Sequence, residues 1–138
     1  MLVTENEYDG GAAGGDGNLT KLTQFVDGVS GTSRVTNFTY DFRDRQITID
    51  GEIDLYVVNT YDNLDRVIKV QRYNTSTSGN LLAQSETLFD DRGNVYQTKQ
   101  YAVNPSTGVV GNALVDNFWY DAAGNRIKEL PAGSERFT

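Results

Sequence analysis

Carboxylate side chains are the groups in this 138-residue chain best suited to chemistry, because the sequence contains no His and no Cys. Without His there is no Ser-His-Asp triad and no histidine-ligated metal. Without Cys there is no thiolate nucleophile, thiolate metal site or disulfide. Acid/base or metal-binding roles therefore fall mainly to the 19 Asp and Glu residues. Three close carboxylate pairs stand out, namely Asp41 with Asp44, Asp62 with Asp65, and Asp90 with Asp91.

A Gly-rich segment near the N-terminus, residues 10–18, suggests a different chemistry. Asp16 lies there between two glycines. Hard cations such as Ca²⁺ prefer carboxylate oxygens, and Gly-rich loops that carry Asp occur in calcium-binding repeats. The segment occurs once and forms no periodic array. Asp16 is thus the one calcium candidate, and the sequence predicts no other metal and no cofactor.

The overall charge and hydropathy pattern exclude two classes of partner. The net charge of −7 argues against nucleic acid, since phosphate binding needs a basic patch. The apolar runs, such as 55–58, are far shorter than the roughly 20 residues of a membrane-spanning helix. The acidic segment 1–7 lacks the apolar stretch of a secretory signal peptide.

The first residue of each carboxylate pair occupies the same position of an internal repeat. Its pattern is an aromatic residue, Asp, two variable residues, Gly or Asp, Arg or Asn, one variable residue, and Ile or Tyr. Four copies align without gaps, and they begin at Tyr40, Tyr61, Phe89 and Tyr120. A fifth, degenerate copy opens with Tyr8 and Asp9 and closes at residues 17–19, after the Gly-rich insertion.

The repeat has the properties of a structural turn. Asp at its first position can accept hydrogen bonds from backbone N–H groups nearby, and Gly three residues later suits a positive φ and a β-bulge. Asp can replace that Gly, because it tolerates the left-handed conformation. The preceding aromatic ring is expected to pack on its counterpart in the neighbouring hairpin. The predicted structural motif residues are Tyr8, Asp9, Tyr40, Asp41, Asp44, Tyr61, Asp62, Asp65, Phe89, Asp90, Gly93, Tyr120, Asp121 and Gly124.

No catalytic residue is predicted from this pattern. A glycosidase needs one carboxylate pair at a defined separation across a cleft, whereas here a carboxylate recurs in every turn. We therefore interpret these carboxylates as structural and expect the protein not to be an enzyme.

Period-two alternation with frequent turn signals predicts an all-β fold, an antiparallel meander of repeated β-hairpins. Each unit has one constant turn and one variable turn. The Asp50-Gly51 pair predicts a two-residue type I′ hairpin. We divide the chain into a degenerate first repeat at 1–18, a hairpin array at 19–130 and a tail at 131–138. Eight or nine strands are expected, at about 19–26, 33–40, 45–50, 52–60, 66–73, 81–89, 94–103, 110–120 and 125–130.

The composition indicates a sheet without a large core. Leu, Ile, Val and Phe make up about a quarter of the chain, and both faces of the predicted strands mix apolar with polar residues. Such a sheet suits a wall that is wetted on both surfaces. It leaves two open edges, and we expect these to pair with further repeats of a longer chain or with other copies.

The repeat resembles the tyrosine-aspartate (YD) repeat of the rearrangement-hotspot (Rhs) family, which is related to the shells of insecticidal toxin complexes and to teneurins. The copy at 120–127 matches the family pattern best, and the resemblance spans roughly residues 8–130. Phe89 in place of Tyr, Asp44 and Asp65 in place of Gly, and the interrupted first copy depart from it. The resemblance implies hairpins that coil into a hollow shell of a bacterial protein, secreted or at the cell surface, of which this chain would be a part.

Three functions are compatible with these observations. The first is a non-catalytic structural segment of an Rhs-like β-shell or surface scaffold, which encloses or presents another segment. The second is a cell-surface adhesion or carbohydrate-binding module, in which Tyr residues and Trp119 stack on a glycan. The third is a self-assembling β-sheet filament subunit.

Overall fold

The fold is a single ten-stranded antiparallel sheet in which every strand pairs with the next one along the chain. The structure is a computed structural model that describes residues 3–26 and 32–134. It confirms the all-β, antiparallel meander. The one helical segment among the described residues is a short 3-10 turn, Asp9–Gly11. The strands are β1 (Val3–Tyr8), β2 (Leu19–Phe25), β3 (Ser33–Tyr40), β4 (Gln46–Asp50), β5 (Tyr56–Tyr61), β6 (Val67–Tyr73), β7 (Leu81–Phe89), β8 (Val95–Val103), β9 (Val110–Tyr120) and β10 (Arg126–Leu130).

The first strand is absent from the sequence-based prediction, which expected eight or nine strands. β1 is mostly polar, with only Val3 and Tyr8 as large hydrophobic residues. It becomes a strand through pairing with β2, where Val3 lies opposite Phe25 and Tyr8 opposite Leu19. The predicted first repeat at 1–18 therefore supplies the outer strand of the first hairpin, and its residues 1–2 lie outside the described part of the chain.

The predicted type I′ hairpin at Asp50-Gly51 is wrong. A five-residue loop joins β4 to β5, closed by a hydrogen bond from the Gly51 N–H to the Leu55 carbonyl at 2.7 Å. Its positive φ angles belong to Ile53 (53°) and Asp54 (56°). A Cβ at position 51 would lie 2.6 Å from Leu55 Cδ2, so a larger residue there would require the Leu55 side chain to shift.

Two kinds of turn lie at the two opposite ends of the strands. The five turns that follow the motif aromatic residues, at 9–18, 41–45, 62–66, 90–94 and 121–125, all lie at one end; we call them the motif turns. We call the row that they form the motif edge, as distinct from the two open edges of the sheet, which are the strands β1 and β10. The variable loops, at 51–55, 74–80 and 104–109, lie at the opposite ends of the strands. The pairing register shifts by a bulge at each motif turn, as predicted.

The sheet is one layer thick and has almost no core. Among the described residues only Leu81 (6% exposed) and Gln84 (8%) are buried. The accessible surface is 9244 Å², against about 7,100 Å² for a compact globule of this mass. Hydrophobic burial is therefore limited, and contacts between neighbouring hairpins must carry much of the stability.

Candidate functional site

The motif edge is the candidate functional site, and one turn shows how it is built. In the turn at 62–66, Asp62 Oδ1 accepts hydrogen bonds from the backbone N–H groups of Leu64 (2.8 Å) and Arg66 (3.1 Å). Asp62 Oδ2 accepts one from Arg66 Nε at 2.7 Å. The Asp62 N–H donates to the Arg66 carbonyl at 3.0 Å and closes the turn. One carboxylate thus organises the whole turn.

The same arrangement recurs in the other gapless copies. Asp41, Asp90 and Asp121 each accept from the backbone N–H groups two and four residues later, at 2.8–3.2 Å. The side chain four residues later, Arg or Asn, donates to the second carboxylate oxygen at 2.7–3.0 Å. The predicted Asp turn is confirmed. The role of the Arg or Asn was missed, although its strict recurrence was visible in the repeat.

The degenerate first copy is also closed by its Asp, despite the Gly-rich insertion. Asp9 Oδ1 accepts from the N–H groups of Gly17 and Asn18, both at 3.0 Å. The Asp9 N–H donates to the Asn18 carbonyl at 2.8 Å. The insertion is therefore accommodated within the turn, but the Asn18 side chain donates to Asp44 of the next turn and not to Asp9.

The residue three positions after each Asp has the positive φ that the sequence predicts. The angles are 58° at Asp44, 61° at Asp65, 88° at Gly93 and 85° at Gly124. Where Asp stands in place of Gly, its side chain reaches the preceding turn. Asp44 Oδ1 accepts from Asn18 Nδ2 at 2.8 Å. Asp at this position therefore adopts a less favourable backbone conformation than Gly would, but it gains a contact with the neighbouring turn.

The strongest of these contacts joins the second and third motif turns. Arg45 Nη1 lies 2.9 Å from Asp65 Oδ1, and Arg43 Nη1 lies 3.1 Å from the same oxygen. Arg45 also pairs with Asp41 in its own turn, so one guanidinium spans two hairpins. Further along, Arg92 Nη1 donates to the Ala122 carbonyl at 3.2 Å. Three of the four neighbouring pairs of motif turns are therefore linked directly, the exception being the turns at 62–66 and 90–94.

Substitution of Gly93 tests whether Asp at this position forms such a link. A Cβ at Gly93 would lie 3.7 Å from Arg66 Nη1, the counterpart of Arg45 beside Asp65. We expect Gly93→Asp to be more stable than Gly93→Asn by about 0.5 kcal/mol in urea unfolding, because both tolerate positive φ but only Asp pairs with the cation. The difference should shrink in high salt.

The same pair of substitutions in an Arg66→Asn background provides the matched control for that comparison. Asn stands at the position of Arg66 in the turns at 90–94 and 121–125, where it still donates to the motif Asp. In that background Gly93→Asp and Gly93→Asn should unfold at the same urea concentration. Equal stabilities of the two Gly93 variants when Arg66 is present would contradict the inter-turn ion pair.

The motif tyrosines join hairpins through their hydroxyl groups. Tyr40, Tyr61 and Tyr120 each donate at 2.8 Å to a backbone carbonyl of the preceding hairpin, at the first residue of its second strand. The predicted packing of each motif ring on its counterpart is wrong. The one close ring pair among the described residues is Tyr56 with Tyr73, edge to face at 6.4 Å between centroids.

At two hairpin junctions, an Arg of the preceding motif turn also contacts the motif ring. The guanidinium carbon of Arg45 lies 4.9 Å from the ring centroid of Tyr61, and that of Arg66 lies 4.3 Å from the ring centroid of Phe89. Each Arg therefore contacts the motif ring of the next hairpin by a cation–π interaction. At Phe89, which has no hydroxyl group, the Arg contact remains.

Removing a single motif hydroxyl should measure how much one of these hairpin junctions contributes to the free energy of unfolding. Tyr61→Phe deletes the bond to the Gln46 carbonyl but keeps the ring, so the free energy of unfolding should fall by about 0.5–1.5 kcal/mol. Urea unfolding followed by circular dichroism measures the change. Tyr96→Phe is the control, because that side chain is 40% exposed and its hydroxyl forms no hydrogen bond with another described residue. Equal losses in the two variants would contradict the junction.

The charge state of the motif carboxylates follows from these bonds. The Arg45 side chain lowers the pKa of Asp41 to about 2. The amides of Asn94 and Asn125 lower the pKa of Asp90 and of Asp121. At Asp62 burial acts to raise the pKa, but the combined hydrogen bonds of Arg66 and Leu64 outweigh it and lower the pKa. These carboxylates are therefore ionised acceptors at neutral pH, whereas a general acid needs a raised pKa.

A polar ladder crosses one face of the central strands and was not foreseen. Gln71 Nε2 donates to Gln84 Oε1 at 2.9 Å, and Tyr101 donates to Glu86 Oε2 at 2.8 Å. The bond to Glu86 raises the pKa of the Tyr101 hydroxyl. Lys69 Nζ lies 3.8 Å from Glu86 Oε1. Cross-strand register brings these residues together, and no local sequence pattern marks them.

The two remaining candidate sites are the calcium candidate Asp16 and the glycan-stacking candidate Trp119. Asp16 is exposed, and the described residues contain no group of three or more acidic side chains that could hold a metal ion. An open hollow of about 450 Å³ lies between the fourth and fifth motif turns, with Tyr96, Phe118 and Trp119 in its lining. Trp119 is 40% exposed, and Lys128 Nζ lies 4.7 Å over its ring.

Neither the comparison with protein-family models nor the search of curated proteins finds a match for this chain. Across residues 3–26 and 32–134, no helix has the length and apolar character needed to span a bilayer.

Proposed function

We propose that the chain is a non-catalytic structural repeat segment that forms part of a β-sheet wall, as in an Rhs-like shell or surface scaffold. The observation that carries this proposal is the repeated junction between hairpins. A motif Tyr hydroxyl bonds to the preceding hairpin at three places, and a side chain of one motif turn bonds to the next turn at three places. Contacts that repeat in this way extend a sheet in one direction.

The absence of a core among the described residues supports the same proposal. A binding or catalytic module usually rests on a packed scaffold with a concave pocket. Here the described sheet is one layer, and the motif carboxylates are already engaged in their own turns. Such a sheet suits an enclosing or presenting wall, whose stability is a sum over neighbouring repeats.

The location and cargo follow from the resemblance of the repeat. Under this proposal the wall belongs to a secreted or cell-surface protein of bacterial origin, and it encloses or presents another segment. That is how the proteins with YD repeats, which these copies resemble, use them.

A glycan array separates this proposal from the carbohydrate-binding alternative. The exposed ring of Trp119 beside the hollow at the fourth and fifth motif turns is the feature that would serve a sugar. The scaffold predicts no saturable glycan binding by the wild-type chain. Saturable binding that Trp119→Ala abolishes would overturn it in favour of an adhesion module.

Small-angle X-ray scattering of dilute protein tests the wall directly. A one-layer sheet should give a radius of gyration well above the roughly 14 Å of a compact globule of this length. A compact value would contradict the wall, whether or not copies of the chain associate at higher concentration.

A further inference from the structure

The junctions between successive hairpins follow a single register. At the junctions of β4 with β5, β6 with β7 and β8 with β9, the residue eight positions after one motif aromatic lies opposite the residue three positions before the next. The pairs are Thr48 with Val58, Lys69 with Glu86, and Gln97 with Asn117. The register therefore predicts which residues would meet if another hairpin were added at either open edge.

The two open edges of the sheet are complementary in that register. Eight positions after Tyr120 is Lys128 on β10, and three positions before Tyr8 is Glu5 on β1. Both side chains are exposed. The same two positions are occupied by Lys69 and Glu86 at an internal junction, where they form an ion pair at 3.8 Å. An added copy would thus bring together opposite charges that this sheet already pairs once.

The hydrogen-bonding groups of the two edges are also complementary. At the internal junction of β4 with β5, Tyr61 OH and Asn59 Nδ2 both donate to the Gln46 carbonyl, at 2.8 and 3.2 Å. β1 carries the equivalent Tyr8 and Asn6, two positions apart as in the internal pair.

In the single chain these two donors of β1 have no preceding hairpin among the described residues. Tyr8 is 50% exposed, and Asn6 Nδ2 lies 3.5 Å from its hydroxyl. The acceptor equivalent to the Gln46 carbonyl, six positions after the motif aromatic, is the carbonyl of Arg126 at the start of β10.

We propose that copies of this chain assemble head to tail, with β10 of one copy pairing antiparallel to β1 of the next. Lys128 then pairs with Glu5 of the next copy, and the Tyr8 and Asn6 side chains of that copy donate to the Arg126 carbonyl. The two surfaces differ, so the contact is heterologous and extends the sheet as a filament or a curved wall. This inference rests on the proposed function and names the partner of the wall as a second copy.

Charge reversal at the two edges tests the proposal by sedimentation velocity over a range of concentrations. The wild-type chain should form oligomers that grow with concentration. Lys128→Glu and Glu5→Lys should each weaken association about tenfold, because like charges then meet at the junction. Mixing the two variants should restore assembly, since every junction between unlike copies regains an opposite pair. The restoration also shows that both variants are folded.

Two substitutions that change the net charge by the same amount, at positions outside β1 and β10, serve as controls. Arg34→Glu on β3 and Asp91→Lys in the fourth motif turn alter the same net charge on exposed residues. Both should assemble as the wild type does. A monomeric wild type at all concentrations, or assembly weakened equally by the controls, would overturn the head-to-tail contact. Neither result depends on glycan binding or on the radius of gyration in dilute solution, which test the proposed function.

Discussion

Replacing Asp62 with alanine is expected to lower the melting temperature by on the order of 10 °C. The substitution leaves the Leu64 and Arg66 N–H groups without their acceptor and releases the Arg66 side chain. Arg66 also covers the Phe89 ring, so the loss extends to the next hairpin. Thermal unfolding at neutral pH, followed by circular dichroism, measures the shift.

Two further variants separate the turn from a general charge effect. Asp62→Asn keeps an oxygen that can accept from the backbone N–H groups but loses the charge beside Arg66, so its melting temperature should fall between those of wild type and Asp62→Ala. Asp91→Ala removes an exposed carboxylate at the neighbouring position of another turn and should change little. A shift in Asp91→Ala as large as in Asp62→Ala would contradict the structural role of the motif Asp.

Acid should destabilise the sheet through the same carboxylates. The pKa values of Asp41, Asp62, Asp90 and Asp121 are lower in the folded chain, with that of Asp41 at about 2. Between these values and the unfolded pKa of about 3.9, the unfolded state binds more protons, so stability falls as the pH falls. The stabilisation that the ionised motif carboxylates give the folded state is complete above about pH 5 and is lost as the pH drops through 4 towards 2.

The urea midpoint measured from pH 6 to pH 2 checks this sign. The wild-type midpoint should decline most steeply below pH 4. Asp41→Asn should start lower at neutral pH but decline less, because it removes the carboxyl whose folded pKa is about 2. A midpoint that rises in acid, or an unchanged slope in Asp41→Asn, would show that these bonds do not stabilise the folded state.

The motif turns could be predicted from the sequence because their partners are local. Asp41, Asp90 and Asp121 bond to groups two and four residues away, so one short pattern contains both donors and acceptor. The positive φ at Asp44 and Asp65 follows from the same pattern, because Gly occupies that position in the other copies.

The contacts between hairpins could not be predicted, because they depend on register between strands. Tyr61 reaches the Gln46 carbonyl and Arg45 reaches Asp65 across about 15 to 20 residues of sequence, and variable loops alter that spacing from copy to copy. The loop after Asp50 shows the same limit. Asp-Gly favours a two-residue turn, but the pairing of Asp50 with Tyr56 leaves five residues to be accommodated.

Amide hydrogen exchange of the wild type and of Asp62→Ala, followed peptide by peptide with mass spectrometry, tests the central claim that each hairpin is held by its neighbours and not by a common core. Protein below the concentration of any assembly should be used. The account predicts faster exchange in β4 to β7, around the altered turn, with β1, β2, β9 and β10 unchanged. Equal acceleration in all ten strands would mean that the sheet opens as one cooperative unit, and would contradict the account.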